Sequence, residues 1–154
     1  ASDVLDVGLT GAPSFIEAQH PGRTYAQAVS LREHAKHKYL LHLDGTTASN
    51  RLIKLLMLGS VVLKQDSVYE EYFYKSLLPY QHFVPFARDR CSVANLTATI
   101  AWLRAHDREA HAIAQQSRQF AQRFLSTEAA ACYWQRLLAV YGALQTFDPR
   151  LVVQ

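Results

Sequence analysis

The sequence predicts an α/β fold followed by a helical C-terminal tail. A near-continuous apolar run at residues 38–45 ends in Asp-Gly, which is typical of a strand covered on both faces in a parallel sheet. An apolar helix and a β-branched second strand follow, giving a strand–helix–strand unit with an expected right-handed crossover. From Val93 onward the apolar residues recur at helical spacing, with no glycine or proline between Phe86 and Gly142.

The amino-terminal residues are the least regular part of the chain. Residues 1–24 contain three glycines and two prolines, so we expect an irregular lead-in. Residues 25–37 predict a short, largely solvated helix or turn. The chain begins at Ala1 without an initiator Met and without the pattern of a signal peptide, so we expect a processed protein or a piece of a longer one.

We expect an α/β region over residues 25–92. Its helix is predicted to begin at Thr46–Thr47 and to end at Gly59, because glycine is a common C-terminal stop. The second strand is predicted over Ser60–Lys64, where two valines are adjacent.

Two further elements are predicted before the tail. Residues 67–78 are rich in aromatic side chains and predict a helix, with Ser67 as its N-cap and Glu70 completing a capping box. A short strand is predicted over residues 82–86, after Pro79.

The tail, residues 93–154, is predicted to form helices that pack on the α/β region within the same domain. Each of its three segments carries an apolar stripe that has to be covered by something. The stripes are Leu96, Ile100 and Leu103, then Ala110, Ile113, Ala114, Ser117, Phe120, Ala121 and Phe124, and then Tyr133, Trp134, Leu137, Leu138, Tyr141 and Leu144.

The composition excludes several classes of protein. With 154 residues, 49% of them hydrophobic and 19% charged, the chain can bury a core, so disordered and collagen-like classes are excluded. The formal charge of +3 is small and the arginines show no aromatic stacking pattern, so we expect no nucleic-acid partner. The longest apolar stretch, Leu52–Leu63, is shorter than the roughly 20 residues of a membrane span. Cys91 and Cys132 fit two buried thiols or one disulfide bridge.

The turn after the first strand is the main candidate binding site. In open α/β sheets ligands bind beyond the carboxyl ends of the strands, and Asp44 and Gly45 lie there. Gly45 permits a sharp turn, while the amides of Thr46, Thr47, Ala48 and Ser49 at a helix start favour an anion. Arg51 has the reach to form two hydrogen bonds to a phosphate. An ordinary helix cap with a surface arginine explains the same residues.

The segment after the second strand holds the second candidate. Glu71 is placed to accept hydrogen bonds from sugar hydroxyls, as acidic residues at such positions do for ribose. Helix capping accounts for Ser67 and Glu70 without any ligand.

Other motifs are weak or missing. His34, His37 and His42 do not have the spacing of a metal site, and no metal is expected. The sequence contains no nucleophile elbow, P-loop or dinucleotide-binding glycine motif.

Several strings, in this order and spacing, resemble the capsule-associated-protein glycosyltransferase family, which includes the Rumi-type, KDEL-motif protein O-glucosyltransferases. The resemblance covers about residues 28–145. The strings are Lys38-Tyr39-Leu40-Leu41-His42-Leu43-Asp44-Gly45, Ala48-Ser49-x-Arg51, Gly59-Ser60-Val61-Val62-Leu63-Lys64, Glu71-x-Phe73-Tyr74-x-x-Leu77-x-Pro79-x-x-His82-x-x-Pro85, Trp102-Leu103-x-x-x-Asp107-x-x-Ala110-x-x-Ile113-Ala114, Phe120-Ala121 and Cys132-Tyr133-Trp134-x-x-Leu137-Leu138-x-x-Tyr141.

The resemblance implies a GT-B architecture of two Rossmann-like halves, of which this chain is the C-terminal, donor-binding half, with residues 25–92 as the nucleotide-sugar-binding region. It implies that Arg51 faces the diphosphate of a UDP-sugar and that Glu71 contacts the nucleoside sugar. The implied donor site also includes Asp44, Gly45, Thr46, Thr47, Ala48, Ser49 and Ser67. The catalytic base belongs to the N-terminal half, which nothing here matches, so we expect no catalytic residue and no sugar transfer by this chain alone.

The leading hypothesis is therefore the donor part of an inverting glycosyltransferase. It would move glucose or xylose from a UDP-sugar to a protein serine or a glycan hydroxyl, in the lumen of the endoplasmic reticulum or Golgi, without a cofactor. The competing hypothesis is a non-catalytic α/β module that binds a nucleotide or a protein partner through its helical tail.

Overall fold

The computed structural model describes residues 27–45, 49–86 and 93–146. Six helices and three strands are assigned in these ranges. In chain order they are α1 (Leu31–His34), β1 (Tyr39–His42), α2 (Arg51–Leu56), β2 (Val61–Gln65), β3 (Val84–Phe86), α3 (Val93–Ala105), α4 (Asp107–Phe124) and α5 (Thr127–Leu144), with a 3-10 helix (Tyr74–Ser76) between β2 and β3. The predicted lead-in at residues 1–24 lies outside the described residues.

The three strands form one parallel sheet in the order β1-β2-β3. Tyr39 is paired with Val61 and His42 with Lys64, so the first two strands end at the same edge. On the other side of β2, Leu63 is paired with Val84 of β3. The predicted α/β class, the strand–helix–strand unit and the short third strand are confirmed, and so is the short solvated helix α1, which has no buried residue.

Helix α2 is shorter than predicted. It begins at Arg51, after Asn50, and Ser49 precedes it, so the prediction that the helix already runs through Ser49 is wrong. The expected start at Thr46–Thr47 falls on residues outside the described ranges. The helix ends at Leu56, three residues before the predicted stop at Gly59, and Gly59 ends the turn that follows with a φ of +79°, a left-handed conformation that glycine adopts at little cost.

The predicted helix over residues 67–78 is wrong. Ser67 does not cap a helix: its Oγ accepts a hydrogen bond from the Tyr69 N–H at 2.9 Å, which closes a local turn. Glu70 does not complete a capping box, since its carboxylate lies 3.4 Å from the ammonium of Lys75. Only the 3-10 helix forms in this segment, and its neighbour Phe73 is buried in the core.

The sheet separates two apolar clusters. Successive residues of β2 point to opposite faces: Val61 and Leu63 pack with the first cluster and Val62 with the second. The first cluster is completed mainly by α3 and the start of α4, and the second by α2, Phe73 and the end of α4. The predicted stripes of α3 and α4 are therefore confirmed as core, although Phe120 is half-buried and Phe124 is exposed.

Helix α5 departs from the prediction that the tail packs on the sheet. None of its residues, all of them described, is buried. Trp134 is 52% exposed and Tyr141 60% exposed, so the third stripe is not core in this chain. Cys132 is an exposed free thiol, which makes the expectation of a buried thiol wrong for it, whereas Cys91 lies outside the described residues.

The domain boundaries after residues 24 and 92 remain predictions, because residues at both positions lie outside the described ranges. Within those ranges, no helix combines the length and the apolar character needed to cross a bilayer.

Candidate functional site

The carboxyl edge of the sheet brings the predicted turn against the end of β2. Asp44 follows β1 by two residues, and its backbone N–H donates a hydrogen bond of 3.2 Å to Oε1 of Gln65, the last residue of β2. Asp44 is half-buried and Gly45 is exposed. Thr46, Thr47 and Ala48 lie outside the described residues, so their predicted amide contacts stay predictions. The edge is the place where α/β sheets bind ligands.

Arg51 lies beside this edge. It is the first residue of α2 and is exposed, as a residue available to a ligand has to be. In the described part of the chain its guanidinium forms no ion pair with a carboxylate. Its charge still acts on the interior, because it helps to lower the pKa of His42.

His42 is a buried histidine at the end of β1, only 1% exposed. Its pKa is lowered to about 4, mainly by burial and also by the charges of Lys64 and Arg51, while Asp44 opposes them. The imidazole is therefore neutral near pH 7. Neither ring nitrogen has a hydrogen-bond partner among the described residues, although buried polar atoms in folded proteins are usually paired.

Lys64 lies next to His42 in the register and on the same face of the sheet. It is 8% exposed, and its Nζ donates to the carbonyl oxygen of Gln65 at 3.2 Å. The ammonium also stands 4.5 Å from the centre of the Tyr74 ring and 5.7 Å from that of Phe83. Burial lowers the pKa of Lys64, whereas Asp44 and Asp66 raise it.

Tyr74 connects the edge to the second predicted residue, Glu71. Burial raises the pKa of the Tyr74 phenol to about 12, and the carboxylates of Asp44 and Glu71 contribute in the same direction. Its hydroxyl group is buried and has no partner in the described ranges. Glu71 is half-buried, and its carboxylate and that of Asp44 both raise the pKa of Tyr74, so a residue of the predicted phosphate turn and the predicted ribose contact both act electrostatically on this tyrosine.

The structure thus brings together most of the predicted residues that it describes. The charge of Asp44 acts on His42, Lys64 and Tyr74, that of Arg51 acts on His42, and that of Glu71 acts on Tyr74. Ser67 is the exception: both of its described side-chain hydrogen bonds go to Tyr69.

Sequence reasoning missed Lys64 and Tyr74 as members of the site. The available signal was a lysine at the end of an apolar strand, next to the expected binding edge.

The site combines two cations, two carboxylates and neutral hydrogen-bonding groups. Arg51 and Lys64 are suited to phosphate oxygens, and Glu71 is suited to hydroxyl groups. Among the residues with described positions, no group of three or more His, Cys, Asp or Glu side chains is placed to hold a metal ion.

A separate cavity of about 670 Å³ lies between residues 72–76, the end of α4 and the start of α5. Its wall is mostly apolar, with Tyr72, Phe124 and Tyr133 among the lining residues, and with Arg123 and Arg136. It includes neither Asp44 nor Arg51, so it is distinct from the polar group at the sheet edge.

Comparison with known proteins gives one consistent answer. Residues 3–153 match glycosyl transferase family 90. The chain is 37% identical to protein O-glucosyltransferase 2 of Danio rerio over 151 residues, which cover 96% of this chain and 29% of that protein. It is 32% identical to protein O-glucosyltransferase 3 of Homo sapiens, with 96% and 28% covered, and 35% identical to O-glucosyltransferase rumi of Drosophila pseudoobscura pseudoobscura, with 80% and 30% covered.

The chain therefore spans less than a third of the length of these relatives. The match nevertheless extends over nearly all of its own residues and confirms the resemblance noted in the sequence. The chain belongs to glycosyl transferase family 90.

Proposed function

We propose that this chain is the donor-binding part of a UDP-sugar-dependent glycosyltransferase. The complete enzyme would transfer glucose or xylose to a serine of a protein or to a glycan hydroxyl. One observation supports the proposal: in a chain of this family, Asp44 and Arg51 follow the carboxyl end of a strand in a parallel sheet, and Asp44 and Glu71 both act electrostatically on Tyr74. The relatives named above are protein O-glucosyltransferases, which supports the acceptor class.

The roles of the residues follow from their chemistry. Arg51 is proposed to bind the diphosphate and to stabilise the negative charge of the departing UDP. Glu71 is proposed to accept hydrogen bonds from the ribose hydroxyls. The turn from Asp44 through Ser49 is proposed to supply backbone amides to the phosphates, and Ser67 to border the nucleotide. No metal ion or organic cofactor is needed in this scheme.

The proposed architecture is GT-B, with this chain as the C-terminal half. The group that deprotonates the acceptor must come within about 2.6 to 3.2 Å of its hydroxyl. The nearby carboxylates, which are Asp44, Asp66, Glu70 and Glu71, belong to the donor side of the cleft. We therefore expect the base from another part of the enzyme, and no sugar transfer by this chain alone. By the same resemblance, the enzyme is proposed to work in the lumen of the endoplasmic reticulum or Golgi.

The test is UDP binding by this chain and by Arg51→Ala, measured by calorimetry and by thermal protection. A hydrogen bond to a charged group contributes about 1.5 to 3 kcal/mol, so the affinity should fall roughly tenfold to more than a hundredfold. Arg104→Ala, which removes an exposed arginine of α3, is the matched control and should bind UDP normally. Equal UDP affinity of Arg51→Ala and wild type would contradict the phosphate assignment.

The second candidate function is a non-catalytic module that binds a protein partner. The exposed aromatic face of α5, with Trp134 and Tyr141, favours it. This candidate predicts no thermal protection by UDP and no effect of Arg51→Ala, so the same experiment separates the two functions.

A further inference from the structure

Lys64 is a buried cation for which the described residues supply no acidic partner. Only 8% of the residue is exposed, and in the described ranges no carboxylate lies within ion-pair distance of its ammonium. The described contacts of Nζ are a hydrogen bond to the Gln65 carbonyl oxygen and cation–π contacts with the rings of Tyr74 and Phe83. A buried ammonium is costly unless it is paired, and contacts with two rings and one carbonyl offset only part of that cost.

Other polar groups without a partner lie beside Lys64. In the described residues, four buried side-chain atoms lack a hydrogen-bond partner: both ring nitrogens of His42, the hydroxyl of Tyr74 and the hydroxyl of Tyr39. Three of these four belong to residues next to Lys64, because His42 is its register partner and the Tyr74 ring lies under its ammonium. Such atoms are rare in folded proteins, so their concentration at one edge points to a polar ligand.

The charge of this ligand follows from the groups around it. His42 is neutral near pH 7 and Tyr74 keeps its proton, so Lys64 and Arg51 are the cations of the group. Asp44 and Asp66 act on Lys64 from beyond ion-pair distance, so no carboxylate with a described position is a direct counter-charge for the ammonium. Two cations at the carboxyl edge of a parallel sheet match a ligand with two adjacent negative charges.

We propose that Lys64 is the second cation of the donor site and that its ammonium binds the diphosphate of the nucleoside diphosphate together with Arg51. The inference rests on the proposed function and adds a residue and a charge balance to it. The lysine is held from below by the Tyr74 ring, and its free N–H groups donate to phosphate oxygens. Lys64 is thus a binding residue for the donor and not a structural cation.

The test compares Lys64→Met with the wild-type chain. Methionine has a similar length and no charge, and a buried charge replaced by an apolar group usually leaves stability unchanged or raises it. We expect roughly a tenfold to hundredfold loss of UDP affinity, unchanged affinity for uridine, which has no phosphate, and an unfolding temperature without ligand that is equal to or above that of wild type. Lys54→Met, at an exposed position of α2, is the matched control and should change none of these. Lys64→Gln repeats the measurement with a polar side chain, in case the methionine packs poorly.

The possible results of these binding and unfolding measurements distinguish a failure of the Lys64 assignment from a failure of the proposed function. Normal UDP affinity of both Lys64 variants, with a loss in Arg51→Ala, would overturn this inference and leave the proposed function in place. A marked fall in the unfolding temperature of both unliganded variants, or an equal loss of uridine and UDP affinity, would show a structural role and also overturn it. A wild-type chain that binds no UDP would overturn the proposed function and this inference together.

Discussion

Helices α4 and α5 have the same length, 18 residues each, but opposite relations to the core. Helix α4 is rich in charged and amide side chains, yet five of its residues are buried, among them Ile113 and Ala121. Helix α5 carries leucines, tyrosines and a tryptophan, yet none of its residues is buried. Burial in this chain is therefore decided by which helix reaches the sheet, and not by how apolar its sequence is.

The reason lies in the size and arrangement of the side chains. Helix α4 presents small residues to its neighbours, including Ala110, Ala114 and Ser117, so it can lie close to β2 and α2. The hydroxyl of Ser117 donates to the carbonyl oxygen of Leu56 at 3.4 Å. Helix α5 instead carries large side chains and borders a cavity. Its Tyr133 ring contacts the ring of Tyr72, with 4.7 Å between the two ring centroids.

Two truncations should show the largest difference between these helices. Removing residues 93–154 exposes both apolar clusters, so we expect an insoluble product. Removing only residues 127–154 leaves the clusters covered, so we expect a soluble chain with a cooperative urea transition. Solubility and urea unfolding followed by circular dichroism measure both. A soluble, cooperatively folded product of the longer truncation would show that the α/β region is independent of α3 and α4.

Single substitutions in α4 and α5 should reproduce the difference in burial between the two helices. Ile113→Ala deletes buried groups between α4 and the sheet, and should lower the free energy of unfolding by about 2 to 5 kcal/mol. Leu138→Ala removes an exposed side chain of α5 and should stay within about 0.5 kcal/mol. Urea unfolding of the two variants gives both values. Similar losses in the two would mean that α5 is packed in solution.

Much of the fold could be predicted from the sequence, because periodicity and strand chemistry are local. The apolar run ending at Asp44 and the adjacent Val61 and Val62 gave the parallel strands. The helix over residues 67–78 was wrong, because the side chain of Ser67 can bond a backbone amide in a turn as well as at a helix start. The prediction that the apolar stripe of α5 packs on the sheet is wrong, since a pattern shows which side of a helix is apolar and does not show what covers it.

The candidate site was predicted in part for the same reason. Arg51 and Asp44 follow the first strand directly, so topology alone places them at the ligand edge. Lys64 could not be assigned, because its role depends on its burial beside His42 and on the ring of Tyr74. These are contacts between distant segments, which spacing along the chain does not reveal.

The pH dependence of unfolding should distinguish a buried histidine of the packed region from an exposed histidine on a helix surface. The pKa of His42 is lowered from 6.5 to about 4 in the folded state, so between these values the unfolded chain binds more protons. The stabilisation is complete above about pH 6.5 and is lost as the pH falls towards 4, by about 3 kcal/mol at most.

The matched variants for this titration are His42→Gln and His111→Gln, since His111 is exposed on α4. Urea unfolding at several pH values should show a flatter loss in acid for His42→Gln only. The buried His82, whose pKa is also lowered by burial, should keep part of the slope in every variant. An unchanged slope in His42→Gln would contradict the assignment to His42.

The smallest expected effect is that of removing the helix cap at the start of α5. This change tests whether α5 unfolds independently of the rest of the chain. The Oγ of Ser126 accepts a hydrogen bond of 3.2 Å from the backbone N–H of Ala129, and such a cap stabilises a helix by about 1 kcal/mol. Because α5 buries none of its residues, Ser126→Ala should speed amide hydrogen exchange in residues 127–144 and leave the urea midpoint of the whole chain almost unchanged. Ser117→Ala, in the packed helix α4, should do the reverse: it lowers the urea midpoint and leaves the exchange of α5 as it is. A fall of the global midpoint in Ser126→Ala as large as that in Ser117→Ala would show that α5 belongs to the same cooperative unit as the sheet, and that the contrast between the two helices is one of exposure and not of stability.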